Sequence, residues 1–559
     1  MLSVTLWLRG FSLTTETQSH RDTEVDTDML LRLLLVTLLA IAGCLIWTGP
    51  SPVHSQSAAP QRRELTTQEK RGKAFYLRGE SASGQEITAM MGEVDVPAST
   101  LTCAGCHGNR GQGITEGGVT AGNMTWAFLT KPYGHADDGG RKHPPFTESS
   151  FTRLLTSGVD PAGNKLAVAM PTYRMTQEDM ANLIAYLKRI ETDTDPGVTD
   201  TTIVLGTVLP EKAALSGLAQ SMGDVLQAYF AEINSRGGIY NRKLELRVTY
   251  GDSKSTVTNM KHLIDDDHVF AIVSGLTAGA EDGVAALTQE KEVPFVGPST
   301  LLPQRGLPLN RYIFYLLPGL KEQAQALVTF AAKKKDTSHV AIVSPDLEFN
   351  RSIATAIEEQ TKKLRWPSVT TNYYSRERFS AAEFVNQFHQ KQIDTVFFVG
   401  SGPEAGAILR EAEAVGWTPT LYLLGSLVGK NVIDTVSLKM KDRVFLAFPT
   451  VPADVSPAGA AEYTSLLQRN KIDSTHAAAQ ASAIAAARIL VHALELCGKD
   501  LSREHLVTTL EGLYEYDTGL MPRITFGPNR RIGALGAYVV TIDPEKKLFP
   551  ASLEWIAVE

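Results

Sequence analysis

The sequence predicts a multidomain protein: an all-α domain over residues 65–192, then an α/β domain of two lobes over residues 201–559. Three observations predict it. Two amphipathic helical stretches, Thr66 to Leu77 and Gln177 to Arg189, bracket a Cys-x-x-Cys-His sequence at Cys103 to His107. Residues 193–200 are a run of Asp, Thr, Pro and Gly with no apolar period, the composition of a linker. Beyond it, β-branched strands and amphipathic helices alternate over more than 200 residues, the pattern of parallel sheets covered by helices.

Length and composition bound the alternatives. A chain of 559 residues exceeds what one core supports. Hydrophobic residues make up 43% and charged residues 21%, the balance of folded rather than disordered protein. Net charge is −7 and Lys and Arg are dispersed, which argues against nucleic acid as a partner, since that needs a concentrated basic face. Of the four cysteines, Cys103 and Cys106 share one motif, Cys44 lies in an apolar leader, and Cys497 ends a helical run as a buried free thiol. A disulfide framework is not expected.

The leader predicts export. Residues 1–28 form a polar extension. Residues 29–55 carry a basic start at Arg32, an apolar run from Leu33 to Trp47 and small residues after it, the layout of a secretory signal. The run is shorter than the ~20 residues that span a bilayer comfortably. Three outcomes fit: cleavage after Ser55, lipid attachment at Cys44 within Ile41-Ala42-Gly43-Cys44, or retention as an anchor. Each places the folded domains in the periplasm.

Cys103-Ala104-Gly105-Cys106-His107 has the spacing for two thioether bonds to haem, with the adjacent imidazole beneath the iron. A zinc or redox Cys-x-x-Cys is the alternative, but zinc needs further ligands, and His135 and His143 read as solvated loop residues. Gly72-Lys-Ala-Phe-Tyr76, the Cys-x-x-Cys-His, Gly158 to Leu166, Met170-Pro171 and Ala181-Asn-Leu-Ile-Ala-Tyr-Leu187 together resemble class I cytochromes c. The resemblance implies one covalent haem c, His107 and Met170 as axial ligands, and one-electron exchange with other electron-transfer proteins. Met124, Met175 and Met180 are rival sulfur ligands. The stretch Glu80 to Leu101 is longer than such a domain needs, and the sequence assigns it no role.

In the second domain, strands are expected at Thr202–Val208, Lys243–Tyr250, Val269–Ser274, Pro294–Gly297, His339–Val343, Thr395–Val399 and Thr420–Leu424. Helices are expected at Gln220–Ser235, Glu281–Lys291 and Lys321–Lys334. Such sheets hold ligands at the carboxyl ends of their strands. No Walker loop, nucleophile elbow or metal-spaced histidine pair accompanies them, so no enzyme is expected. Ala231-Glu-Ile-Asn-Ser-Arg-Gly-Gly-Ile-Tyr-Asn-Arg-Lys-Leu-Glu-Leu246, Asp252, Ile272 to Gly275 and Val293-Pro-Phe-Val-Gly-Pro-Ser-Thr300 resemble type I periplasmic binding proteins, specifically the branched-chain amino acid and amide receptors of ABC importers.

That resemblance implies a small-molecule solute held between closing lobes. It puts Ala278 and Leu301 where the family has hydroxyls, Phe349 where it has a tyrosine, and Leu427 near its acid. Thr277, Ser299, Thr300 and Ser426 stand alongside and can substitute with a shift of register. Ala, Leu, Phe and Leu supply no counter-charges for a zwitterion, and an unpaired buried charge is costly, so an uncharged solute is expected. The expected function is an electron carrier fused to a receptor, its solute linked to a periplasmic dehydrogenase. Two alternatives remain: an importer receptor with an accessory haem, served by an ABC permease, or a pure carrier whose lobes only dock partners.

Overall fold

The computed structural model describes residues 64–116, 119–136, 141–210, 212–334, 339–366, 368–429, 431–549 and 553–558. The leader, with Cys44 and its three processing outcomes, lies outside them.

Helix α1 (Thr67–Arg78) begins at a capping box. The Thr66 hydroxyl accepts from the Glu69 amide at 3.2 Å, and the Glu69 carboxylate accepts from the Thr66 amide at 2.7 Å. It packs against the last helix of its domain, and at the crossing a Cβ on Gly72 would stand 1.9 Å from the Asn182 carbonyl oxygen. Phe75, Tyr76, Leu183, Tyr186 and Leu187 close this core.

The N-terminal domain also carries strands. After α1, β1 (Thr88–Met91) and β2 (Val94–Pro97) form a hairpin within the long stretch that had no assigned role. The haem-motif helix α2 (Cys103–His107) follows. Two short ribbons, β3 (Thr115–Glu116) with β4 (Val119–Thr120) and β5 (His135–Ala136) with β6 (Lys142–His143), flank α3 (Trp126–Leu129). Next come α4 (Glu148–Ser157), β7 (Thr172–Arg174) and α5 (Gln177–Leu187). Strand β7 adds to β1, giving the antiparallel order β2-β1-β7. Ile87 and Ala89 are buried and their neighbours half exposed, so the hairpin obeys period two and lays one face on the helical core.

Lobe one is a five-stranded parallel sheet, β12-β11-β10-β8-β9. Its elements are β8 (Thr202–Pro210), α6 (Lys212–Ser235), β9 (Lys243–Gly251), α7 (Thr256–Asp265), β10 (Ala271–Val273), α8 (Glu281–Lys291), β11 (Phe295–Val296) and β12 (Ile313–Phe314). Lobe two starts with α9 (Leu320–Lys334), β13 (Val340–Pro345), α10 (Glu348–Lys363), β14 (Val369–Tyr374) and α11 (Ala381–Gln390). It continues with β15 (Thr395–Phe398), α12 (Gly402–Ala414), β16 (Thr420–Leu424), α13 (Gly425–Val428), α14 (Asn431–Thr435) and β17 (Val444–Phe448).

The chain then returns to lobe one as α15 (Pro457–Asn470), α16 (Ala477–Cys497) and α17 (Arg503–Glu511). It ends in lobe two with β18 (Gly536–Thr541) and β19 (Glu554–Ala557), which extend its sheet antiparallel: β14-β13-β15-β16-β17-β18-β19. Helix α16 is apolar enough by length and composition to cross a membrane, yet its Ile484, Leu490 and Leu494 are fully buried in the core of lobe one. Cys497 at its end is 4% exposed, and burial pushes its thiol up to about 11.

The chain crosses between the lobes more than once. Two of the crossings hydrogen-bond side by side: the Tyr315 amide to the Arg531 carbonyl, Gly533 to Tyr315, and Ala534 to Leu316, at 2.8–2.9 Å.

Residues 193–200 lie between α5 and β8 and are pinned on both sides. Lys73 of α1 pairs with Asp193 at 2.7 Å and Asp195 at 3.7 Å. The other carboxylate oxygen of Asp195 accepts from the Arg503 amide at 2.6 Å. The Arg503 guanidinium donates to the carbonyls of Val269, Phe270 and Lys291 in lobe one. The N-terminal domain therefore rides on lobe one.

Candidate haem centre and solute cleft

Thr102 caps α2 by accepting from the Gly105 amide at 3.2 Å, which sets the one helical turn that carries both thiols. Cys103 is buried and Cys106 exposed. Burial pushes the Cys103 thiol up to about 12, so as a free side chain it stays protonated at neutral pH. His107 donates through Nδ1 to the Gly122 carbonyl at 2.7 Å. That bond selects the tautomer whose Nε2 lone pair is free for a metal. Burial also lowers the basicity of the ring, keeping it neutral.

Two tyrosines hold the ends of this turn. Tyr76 donates to the Gly108 carbonyl at 2.6 Å and Tyr173 to the Leu101 carbonyl at 2.8 Å. The donor set fits haem c: two thiols three residues apart on one turn and an imidazole with one nitrogen already committed. Among the described residues no group of three or more metal-ligating side chains forms, so the zinc alternative gains no ligand set.

Of the sulfur candidates, Met124 and Met180 are 5% exposed within the core. Met170 and Met175 are half buried at its edge. His135 and His143 do not behave as solvated loop residues. They face each other across β5 and β6, their rings 5.2 Å apart, and His135 stacks on Phe128 at 4.2 Å. Strand pairing too short to register as a period in the sequence brought them together.

The residues expected at the solute cleft fall just beyond the carboxyl ends of parallel strands, on loops in lobe one and in helical turns in lobe two. In lobe one, Thr277 and Ala278 follow β10 and Ser299 to Leu301 follow β11, and a bridge between Leu276 and Ser299 joins the two loops. In lobe two, Phe349 follows β13 in the first turn of α10, and Ser426 and Leu427 lie in α13 after β16. Phe349 and Leu427 border the same apolar core as Leu302.

Thr300 is not free to shift register onto a solute. Its hydroxyl donates to Glu281 at 2.5 Å and accepts from the Leu302 amide at 3.0 Å. The other Glu281 oxygen accepts from the Gly279 amide at 2.8 Å, so this carboxylate knits both lobe-one loops together. The sequence reading missed Glu281; its place at the start of α8, within reach of two Gly- and Ser-containing loops, was the available signal. It also missed the β15 loop, where a Cβ on Gly402 would lie 2.0 Å from the Val428 carbonyl of α13. A separate groove between α6, α15 and residues 516–519 shares no residue with these loops.

The fold and the two sites define a two-lobed solute receptor with a cytochrome c domain in front of it. The chain belongs to the periplasmic binding protein family, whose model matches residues 202–547, and a cytochrome c model matches residues 81–191. It is similar to the Leu/Ile/Val-binding protein of Escherichia coli (strain K12), 24% identical over 36% of this chain and 57% of that protein. The chain thus spans little more than half the length of the first curated relatives it matches. Leu/Ile/Val-binding protein BraC3 of Rhizobium johnstonii is 22% identical over 58% of this chain and 87% of its own. A branched-chain amino acid ABC transporter protein from Thermus thermophilus with bound valine matches the fold at a TM-score of 0.50. That match is 16% identical and covers 65% of this chain and 98% of the other.

Proposed function

We propose that the protein is an exported electron carrier fused to a solute receptor. Cys103 and Cys106 attach one haem c, with His107 and Met170 as its axial ligands. The observation that supports this best is the His107–Gly122 hydrogen bond beside the two thiols, because it orients the imidazole before any metal is present. When bound, haem c supplies a one-electron Fe(III)/Fe(II) couple. The protein's own part is to fix both ligands and exclude water, so that exchange with other electron-transfer proteins is outer-sphere. The basic, apolar leader supports a periplasmic location.

For the receptor, we read the solute as small and uncharged. The committed Thr300 hydroxyl and the apolar side chains of Ala278, Leu301, Phe349 and Leu427 support this, with Thr277, Ser299 and Ser426 left to orient single polar groups. A periplasmic dehydrogenase acting on that solute is then the natural electron donor. The names of the relatives favour the importer reading, in which an ABC permease receives an amino acid.

Two experiments separate these. Replacing Cys103 and Cys106 together by Ala should abolish haem staining on a denaturing gel, and surviving stain sinks the cytochrome reading. Calorimetric titration of the full chain with leucine, valine and isoleucine should give no binding tighter than millimolar. Micromolar affinity for any of them restores the importer receptor.

A further inference from the structure

The hairpin that lengthens the cytochrome domain lies against the segment that follows Met170. Strand β1 pairs with β7 in the register Thr88↔Arg174, Ala89↔Tyr173 and Met90↔Thr172, so pairing starts two residues after the methionine. Arg174 adds an ion pair to Asp95 on β2 at 3.0 Å. Between them Tyr173, 4% exposed, sets its ring edge-on to Phe75 and donates to the Leu101 carbonyl, immediately before the cap of α2. The strand leaving Met170 is thereby tied to the entrance of the helix that carries both thiols.

The approach to Met170 is held as well. Asp160 is fully buried, and its carboxylate accepts from the Ala162 amide, the Asn164 amide and the Asn164 side chain at 2.8–2.9 Å. The Leu166 amide donates to Gly158 at 2.9 Å, closing that turn. The chain from Ala167 to Pro171 therefore spans two anchored points, with the half-buried Met170 between them.

We infer that residues 80–101 are a brace for the sixth ligand, with Tyr173 as the positioning residue through which the brace acts. The inference rests on Met170 being the sulfur ligand proposed above. A thioether is a weak axial ligand, so how often it leaves the iron depends on how freely its loop opens. A loop tied at both ends by strand pairing and a buried hydrogen bond opens rarely.

The test uses the full-length holoprotein and imidazole as the competing ligand. In the ferric state imidazole binds only when the methionine leaves, so its binding rate by stopped flow reads loop opening. Tyr173→Phe keeps the ring and removes the hydroxyl's bond to Leu101 together with its contact to the Cys103 sulfur, both at the entrance of α2, and the imidazole rate should rise about three- to tenfold, the range for one net hydrogen bond. Haem staining should be unchanged. Tyr186→Phe is the control. It too removes a buried phenol hydroxyl, but one that reaches Asp193 rather than the methionine segment, and its rate should match wild type. Equal rates in Tyr173→Phe and wild type overturn the brace, and so does equal acceleration by Tyr186→Phe, which would signal general loosening. Absence of a sulfur-to-iron charge-transfer band in the wild-type ferric spectrum overturns the Met170 reading itself, and the brace with it.

Discussion

A methyl group at position 72 would press into the backbone of α5, 1.9 Å from the Asn182 carbonyl oxygen and 2.8 Å from Cβ of Tyr186. Neither atom can move without moving the helix, so the first and last helices of the cytochrome domain approach this closely because residue 72 has no side chain. Gly72→Ala is expected to destabilise that domain by about 2 kcal/mol or more through overpacking. Denaturant unfolding followed at the haem absorption band measures it, and an unchanged midpoint would contradict the crossing geometry. At the same scale, two donor atoms organise the haem motif: Nδ1 of His107 and the hydroxyl of Tyr173 each satisfy a backbone carbonyl. The Cys-x-x-Cys-His pentapeptide was legible in the sequence. Its partners Gly122 and Leu101 were not, since the bonding atoms are carbonyls that every residue possesses.

Among the elements, α9 sits where the chain passes from lobe one to lobe two. Its first turn holds Glu322, 3% exposed, which accepts from the Gly319 amide at 2.9 Å. Arg305 stands 3.8 Å away and Lys321 adds a weaker attraction. Burial nevertheless outweighs these and raises the carboxyl above its ordinary value. A carboxyl raised in the folded state contributes most below its unfolded value and loses that contribution as pH rises through the folded one. Glu322→Gln keeps an oxygen for Gly319 and removes the titration. The variant should match wild type near pH 4.5 and melt at a higher temperature at pH 7 to 8, the gap widening between. Melting curves across that pH range check it; a gap that does not grow with pH refutes it. The strands of both lobes followed from β-branched runs between helices. Strands β12, β14, β17, β18 and β19 did not: β12 is two residues long, β14 is an exposed edge rich in Thr, Asn and Tyr, and β18 and β19 join the sheet antiparallel after the chain has left and returned.

Across the whole molecule, ion pairs and hydrogen bonds tie the cytochrome domain to lobe one. Lys73 is 20% and Asp193 2% exposed, and although burial opposes the charge, Asp195 and Asp193 hold the ammonium above its ordinary value. The pair is therefore intact at neutral pH, and on the alkaline side it is lost as pH rises through that raised lysine value. Beside it, Arg78 reaches Glu292 and Glu504 at 3.7 Å, and Arg110 reaches Asp500 at 3.4 Å. Lys73→Ala removes one partner of a buried pair and should cost about 3 kcal/mol. Calorimetry should show the cytochrome transition separating from that of lobe one; a single unaltered transition would mean the contact carries no coupling.

What the sequence determined by itself is whatever local spacing encodes: the haem-attachment motif, the amphipathic helices on either side of it, and the βαβ alternation that specifies two lobes. Helix and strand periods and a pentapeptide are written in neighbouring residues. Tertiary structure alone decided which distant atoms share a site. It turned the unexplained stretch after α1 into a hairpin beside Met170, placed Glu281 between two solute loops so that the Thr300 hydroxyl is spoken for, and made residues 193–200 a pinned joint. Those outcomes rest on strand register, on carboxylates reaching across loops, and on ion pairs between residues more than a hundred positions apart. They arise from packing after the chain has folded back on itself, which no local pattern records.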